Sequence, residues 1–320
     1  MALRIKSIYK DLLMEFSQLE LARGIKMISM ERYMNYFDDF INDEEINEII
    51  FTEEMVTRWS YNREHEGEAT KYIRIIWSIK FLTFVRKKGF NINIPRIPKH
   101  VGTKFRAYIF SDEEMTKYFK AIDSFYSNND PFVALYLPVL FRLLYSSGTR
   151  IGETLSIRVE DVDLDKGLID LKHTKNGKER IIVVSDSMRS LLIKYSSKCL
   201  YLKRADDYFF SHIDNRRVDE QSIYHWHRRA LKVAGIPYKG NGEGPRLHDL
   251  RHTFAVKSLV RFEKSGYDLY NALPILSKYL GHTNISATEK YLQLANEEFK
   301  TVIEKADEIS KEIVGETNEG

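Results

Sequence analysis

The feature that most constrains the fold is a segment that is apolar on nearly every side. Residues 132–144 read Phe-Val-Ala-Leu-Tyr-Leu-Pro-Val-Leu-Phe-Arg-Leu-Leu and follow the helix-starting pair Asp130-Pro131. A helix with this pattern is buried in the middle of a domain, because no side of it suits water. The chain must fold around this helix, and its 320 residues with 43% hydrophobic content allow two ordinary domains with a sizeable core.

The sequence before and after this helix predicts the other elements of the same domain. A capping box at Ser111–Glu114 begins an earlier helix. Three short strands are predicted at residues 155–162, 168–171 and 180–184. An Asn-Gly pair within residues 175–178 predicts a tight hairpin between the last two. The periodicity after Ser187 is mainly helical, so we predict a mainly α domain with a small three-stranded antiparallel sheet, an α+β arrangement.

A separate helical bundle is predicted before this domain. Its helices are expected over residues 1–28, from Ser29, after Thr52 and from Glu68 to Lys88. Two prolines and a glycine among basic residues then indicate an extended linker. The expected organisation is a bundle at 1–92, a basic linker at 93–106, a second domain at 107–298, and a C-terminal helix with a polar tail at 299–320.

Charge is unevenly distributed along the bundle and the linker. Residues 31–68 carry twelve acidic and three basic side chains, whereas residues 69–106 carry ten basic side chains and no acidic one. Such a run can be an ordinary solvated face, but a stretch of this length without a carboxylate suits a polyanion. The candidate contacts are Lys71, Arg74, Lys80, Arg86, Lys87, Lys88, Arg96, Lys99, Lys104 and Arg106.

The single cysteine, Cys199, excludes an internal disulfide framework and fits a reducing compartment. The first residues lack the apolar core of a signal peptide, and no apolar run of 18 residues occurs. We therefore expect a soluble cytoplasmic protein with no membrane partner.

Three segments carry cations that could hold an anion. In Gly-Thr-Arg150-Ile-Gly-Glu153 an arginine follows the buried helix and an acid lies three residues on, although a salt bridge at a helix start would look the same. Lys175 lies at the predicted hairpin tip, where a solvated turn lysine is equally ordinary. In Leu-His248-Asp-Leu-Arg251-His252 the first histidine and the arginine would project from one helix face.

A metal site at His248 and His252 is disfavoured, because no cysteine or glutamate nearby completes the ligand set. Near the C-terminus, Leu-Gly-His282 is followed nine residues later by Tyr291. One tyrosine among 19 is more often a packing residue than a nucleophile. The hypothesis that Tyr291 attacks a phosphate therefore depends on the cations elsewhere in the chain.

Taken in order, these segments resemble the tyrosine recombinases, which include phage and transposon integrases and Xer-type recombinases. Gly-Thr-Arg-Ile-Gly-Glu resembles the family's first arginine box, Leu-His-Asp-Leu-Arg-His-Thr-Phe-Ala its second box, and Leu-Gly-His with the later tyrosine its third. Thr-Lys-Asn-Gly-Lys-Glu-Arg resembles its lysine hairpin, which favours Lys175 over Lys172 or Lys178. The resemblance covers about residues 107–298. The region 257–279 is longer than in compact members, and the short N-terminus disfavours an additional arm-binding domain.

The resemblance implies a role for each residue. Arg150 and Arg251 would clamp the phosphate, His282 would donate to a non-bridging oxygen, and His248 would accept the phenol proton or orient the phosphate. Lys175 would protonate the leaving 5′-oxygen, and Glu153 would orient Arg150. Tyr291 would become a 3′-phosphotyrosine that stores the bond energy, so neither metal nor other cofactor is expected.

The resemblance also implies partners and an architecture. We expect a two-domain C-shaped clamp around double-stranded DNA with paired half-sites. The free protein would be a monomer or weak dimer, and a homotetramer would form on synapsed DNA, with the C-terminal helix packed either in cis or on the next protomer. The expected role is integration or transposition of a mobile element, in the nucleoid. Alternatives are Xer-type dimer resolution, a type IB topoisomerase-like relaxase and a non-catalytic DNA-binding regulator.

Overall fold

The computed structural model describes residues 4–25, 27–99, 107–128, 130–172, 179–201, 203–238, 240, 244–282 and 284–295. The chain divides into two compact units, Met1–Phe105 and Arg106–Gly320. In the described part of the chain, no helix is both long and apolar enough to cross a membrane.

In its described residues the first unit is a bundle of four helices: α1 Lys10–Ala22, α2 Met27–Asp43, α3 Glu53–Ser60 and α4 Glu68–Lys87. Its core is rich in aromatic rings, including Phe37 packed against Phe51, Trp59 and Phe81. The predicted start after Thr52 is confirmed, because the Thr52 side chain accepts a hydrogen bond from the Met55 backbone N–H. The predicted helix over 1–28 was too long.

That first helix is shorter for a backbone reason. Gly24 adopts φ +83°, a left-handed conformation that ends α1 and allows α2 to begin already at Met27, ahead of the predicted Ser29. The resulting turn lets α1 and α2 pack on each other and on α4.

The second unit is built around the apolar helix, as predicted. Its helices are α5 Asp112–Asp123, α6 Val133–Ser147, α7 Ile151–Thr154, α8 Asp186–Cys199, α9 Glu220–Val233, α10 Asp249–Lys264, α11 Leu269–Leu280 and a further helix, α12, at 286–295. Helix α6 contacts α5, α8 and α10, and most of its side chains are buried. It begins at Val133, one turn after Asp130, whose carboxylate accepts from the Phe132 N–H at 3.0 Å.

A small antiparallel sheet lies in the same unit, as predicted. Its strands are β1 Val162–Asp163, β2 Leu168–Leu171 and β3 Arg180–Val183, in the order β1-β2-β3. Leu168 pairs with Val183 and Leu171 with Arg180, so β3 starts opposite the end of β2. The predicted hairpin tip at 175–178 lies outside the described residues.

The prediction of a strand over 155–162 was wrong except for its last residue. The segment instead forms the end of a helical turn and a 3₁₀ helix at Val159–Asp161. The Asp161 carboxylate accepts a hydrogen bond from the Arg158 backbone N–H at 2.8 Å, which stabilises the turn. The side chains of Leu155 and Ile157 point from this turn into the core and are buried there. The alternation of apolar residues in the sequence therefore reflects core packing rather than a strand.

Helices α10, α11 and α12 share a second hydrophobic cluster in this unit. Ala255, Leu259, Leu276 and Leu280 are buried there together with Tyr291. The last predicted helix, at 299–313, lies outside the described residues. Burial in this cluster fixes the position of α12 and therefore of the tyrosine that it carries.

Candidate active site

Arg150 lies where the central helix ends. Helix α6 stops at Gly148, which adopts φ +60°, and Arg150 immediately precedes α7. A Cβ at Gly148 would lie 2.4 Å from the Phe254 ring, so glycine is needed for the close approach of α10. Arg150 Nη1 is 2.7 Å from Glu153 Oε1, and its Nη2 donates to the Gly281 carbonyl at 3.4 Å. The first arginine box therefore lies against the third box.

Arg180 is a second partner of Glu153 that the sequence did not single out. Its Nη2 is 2.8 Å from Glu153 Oε2, and its Nε donates to the Tyr279 carbonyl at 2.9 Å. Burial alone raises the pKa of Glu153, but the hydrogen bonds and charges of Arg180 and Arg150 outweigh it and hold that pKa below its usual value. The only sequence signal was its place at the end of the Lys-Glu-Arg motif after the hairpin.

Arg251 is buried beneath the site. Its Nη1 donates to the Gly148 carbonyl at 2.6 Å and its Nη2 donates to the Leu280 carbonyl at 2.7 Å. Burial, together with the nearby Arg150 charge, lowers the pKa of Arg251 to about 10, so the guanidinium remains charged at neutral pH. Two of the five guanidinium donors bind backbone carbonyls, and Arg251 also interacts with the Tyr291 hydroxyl.

His248 immediately precedes α10 and is exposed. Its ring meets the ring of His252 edge-on, with the centroids 4.8 Å apart. His248 and Arg251 lie three residues apart at the start of α10. The two side chains therefore project from the same side of the helix, as their spacing predicted.

His282 follows Gly281, whose φ of +68° ends α11. Its Nδ1 lies 2.7 Å from Thr288 Oγ1, and its ring stacks on Tyr291 with centroids 6.2 Å apart. Burial, followed by the charges of Arg251 and Arg150, lowers the pKa of His282 to about 4. The imidazole is therefore neutral at physiological pH and keeps one ring N–H as a donor.

Tyr291 lies on α12 with only 4% of its surface exposed. Its hydroxyl lies 2.9 Å from His252 Nδ1. Burial raises the pKa of Tyr291, while Arg251 and Arg150 act in the opposite direction. The sequence reasoning considered His252 only as a metal ligand and missed this contact. Within the described residues, no group of three or more His, Cys, Asp or Glu side chains is placed to hold a metal ion.

The lysine of the site is not described by the structure. Lys175 and Lys178 lie outside the described residues, so the choice between them stays a prediction. Lys172 is described, and its Nζ is 2.6 Å from Asp161 Oδ1 and 3.9 Å from Glu160 Oε1. Lys172 is thus held by two carboxylates, which agrees with the preference for another lysine.

One of the predicted DNA contacts was wrong. The Arg74 side chain is completely buried, and its guanidinium donates to Glu66 and to the carbonyls of Trp59 and Tyr61. An arginine whose donors are used inside the bundle cannot reach a phosphate. Arg74 is instead a structural residue that ties α4 to the segment after α3.

The other basic residues of the first unit that were predicted to contact DNA differ in their side-chain partners. Lys88 Nζ binds Glu15 at 2.6 Å, Lys80 lies 4.0 Å from Glu20, and Lys71 donates to the Asn62 side chain. Lys71, Arg86 and Arg96 line a groove of about 820 Å³. Lys87 and Lys99 are exposed, whereas Lys104 and Arg106 lie outside the described residues.

The comparisons with known proteins agree with this geometry. The family model described as the phage integrase family matches residues 112–298. The chain belongs to the phage integrase family. Tyrosine recombinases are among its relatives, and the candidate catalytic residues lie within the matched range.

Individual relatives give the same result. The tyrosine recombinase XerA of Saccharolobus solfataricus is 34% identical over 52% of this chain and 49% of its own length. The tyrosine recombinase XerC of Thermodesulfovibrio yellowstonii is 25% identical over 92% of this chain and 95% of its own. The fold is similar to that of the XerH site-specific recombinase in a post-cleavage complex with palindromic difH substrate (TM-score 0.64, 18% identity, covering 87% and 78% of the two chains).

Proposed function

We propose that this protein is a site-specific recombinase that cleaves and rejoins DNA strands through a 3′-phosphotyrosine at Tyr291 and a Holliday junction. The observation that carries this proposal is the position of the Tyr291 hydroxyl, which is hydrogen-bonded within a buried cluster of arginines and histidines. A tyrosine that only packs a core has no need of two neighbouring guanidiniums.

The charge of the site supports an anionic ligand. Arg150, Arg180 and Arg251 contribute three positive charges, and Glu153 offsets one of them. Burial makes such an excess costly unless an anion completes the site. A phosphodiester brings one negative charge in the ground state and develops a second as the tyrosine oxygen attacks, so the clamp binds the transition state more strongly than the substrate.

Each side chain of the site has a separate role in the proposed reaction. Arg150 and Arg251 bind the non-bridging oxygens with paired hydrogen bonds, and neutral His282 donates a further one. The tyrosine oxygen forms the new bond to phosphorus while the bond to the 5′-oxygen breaks, and Lys175 supplies the proton that this leaving oxygen needs. The reverse attack by a 5′-hydroxyl releases the tyrosine, so no external energy source enters the balance.

The direct test uses a nicked duplex that contains the inverted half-sites flanking the gene, on which the cleaved strand end diffuses away. We expect the wild-type protein to form a DNA adduct that survives denaturing electrophoresis, and Tyr291→Phe to form none. Tyr270→Phe is the matched control, because Tyr270 is 77% exposed on α11. An adduct with Tyr291→Phe would refute the assignment.

For the binding mode, we propose that the bundle and the catalytic unit close on DNA as a C-shaped clamp and that a homotetramer forms on synapsed sites. The exposed cations of the first unit support phosphate contacts, which set affinity and its salt dependence rather than sequence choice. Analytical ultracentrifugation of the free protein and of the protein on one and on two sites tests this. We expect a monomer or weak dimer without DNA and four protomers on the synapse.

The proposed biological role is movement of a mobile element. The second candidate is Xer-type resolution of chromosome or plasmid dimers, which is favoured by the similarity to XerC over nearly the whole chain. A plasmid with two directly repeated sites and a pair of plasmids with one site each separate the two roles. Predominant excision favours resolution, whereas efficient joining of separate molecules favours integration.

A further inference from the structure

His252 contacts the hydroxyl of the proposed nucleophile. His252 Nδ1 lies 2.9 Å from the Tyr291 hydroxyl, and the two rings lie 5.5 Å apart. His252 is one residue beyond Arg251 in the first turn of α10, and its side chain is only 15% exposed. A nitrogen at this distance from the attacking oxygen is within the reach that proton transfer requires.

The surroundings of His252 favour the tautomer that accepts this proton. Nδ1 can accept only if the ring proton is on Nε2, and Nε2 is 3.9 Å from Asp249 Oδ1. Asp249 is itself held by the Arg246 backbone N–H at 2.6 Å. The negative carboxylate favours the proton on the nitrogen that faces it, and it would stabilise the imidazolium once a second proton arrives.

We infer that His252 is the catalytic base of the reaction, an inference that rests on the proposed function. As the Tyr291 oxygen forms its bond to phosphorus, its proton moves to His252 Nδ1, and the electrons of the breaking bond go to the 5′-oxygen, which Lys175 protonates. In the rejoining step the tyrosine oxygen leaves phosphorus and recovers the proton from His252. In this assignment the role of His248 is to orient the phosphate.

The groups facing His252 make it a neutral acceptor before DNA binds. Burial, and then the neighbouring His248, Arg246, Arg251 and His282, lower the pKa of His252 to about 3. Asp249 is an acidic group on the same helix that opposes the neighbouring positive charges. A phosphodiester adds negative charge that offsets the cations, and the phenol becomes strongly acidic as its oxygen bonds to phosphorus. The proton therefore moves during the attack rather than before it.

Three variants test this role on the nicked substrate at saturating protein. His252→Asn places a carboxamide near the position of Nδ1, so it can still hold the tyrosine hydroxyl but cannot take its proton. His252→Ala removes both functions and leaves room for added imidazole. His225→Asn is the matched control, because His225 is an exposed histidine on α9 outside the site. Melting and DNA binding are measured for each variant, so that a folding defect is recognised.

We expect His252→Asn to trap DNA about 10²–10⁴-fold more slowly than the wild type, with a rate that rises with pH as hydroxide replaces the base. Imidazole should accelerate His252→Ala in proportion to its neutral form. A substrate with sulfur in place of the leaving 5′-oxygen should relieve a Lys175→Ala defect, because a thiolate leaves without a proton, and should not relieve His252→Asn.

Two results would overturn the assignment: trapping by His252→Asn at the wild-type rate, or restoration of that variant by the 5′-sulfur substrate. Failure of the proposed function itself gives a different result. In that case the wild-type protein forms no adduct at all, or Tyr291→Phe forms one.

Discussion

Replacing Glu153 by glutamine should destabilise the catalytic unit and alter its response to DNA. Its side chain is 2% exposed, and its two carboxylate oxygens contact Arg150 and Arg180 at 2.7 and 2.8 Å. Glutamine keeps the volume but removes the charge and offers one oxygen for two guanidiniums. Three positive groups, including Arg251, would then remain in one buried region without a carboxylate among them.

The size of the effect follows from this burial. Breaking a buried ion pair costs about 3–5 kcal/mol, and the lower end applies because Arg150 remains 21% exposed. For a unit of this size, about 3 kcal/mol lowers the melting temperature by roughly 10 °C. Calorimetry of the full chain measures this fall in melting temperature. Glu160→Gln is the control, because Glu160 is 52% exposed and lies 3.9 Å from Lys172, a surface pair worth about 0–1 kcal/mol.

Two further results should accompany the loss of stability. DNA binding should raise the melting temperature of Glu153→Gln more than that of the wild type, because the phosphate replaces the missing negative charge. The folded-state pKa of Glu153 lies below its unfolded value, so its contribution is present above the unfolded pKa and is lost as pH falls through the folded pKa. The difference between variant and wild type should therefore shrink below about pH 4. Equal melting temperatures at pH 7 would refute the ion-pair argument.

Three further experiments test the site and the DNA contacts. Gly281→Ala combines φ +68° with a Cβ 2.9 Å from Arg180 Nη1, so we expect a loss of about 1–3 kcal/mol in calorimetry and slower adduct formation; unchanged adduct formation would contradict the close packing. Arg86→Gln with Arg96→Gln should reduce the slope of log K against log salt by about 0.9 for each lost phosphate contact, measured by fluorescence anisotropy. Arg74→Gln should lower the stability of the bundle and leave that slope unchanged, and a flatter slope would contradict its structural role.

The sequence predicted what depends on local pattern or on complete motifs. The apolar pattern of residues 132–144 predicted a buried helix, and Asn-Gly with two short apolar runs predicted strands β2 and β3, because these signals are local. The segment 155–162 was misread because its alternating apolar residues are equally compatible with a helical turn on a core. Its acidic residues, which cap that turn, were the better signal.

The remaining parts of the site depend on contacts between distant segments. His252 and Tyr291 are 39 positions apart, and only the packing of α12 on α10 brings them within hydrogen-bond distance. Arg74 illustrates the opposite error, because a charge pattern does not reveal whether an arginine is solvated or buried with its partners. Charge counts therefore indicated a DNA surface without identifying which cations form it.

The contacts of Arg251 have a consequence for how this enzyme can change over time. Its guanidinium binds the last carbonyl groups beside the C-terminal ends of two helices, α6 at Gly148 and α11 at Leu280. Each helix end carries partial negative charge, which adds to the effect of the nearby Glu153 charge in stabilising this buried cation. A shift of either helix by a fraction of an ångström would move the proposed phosphate clamp with it. Substitutions deep in the core are therefore expected to reduce recombination even in variants that stay folded, because the apolar interior sets the geometry of the site as well as stability.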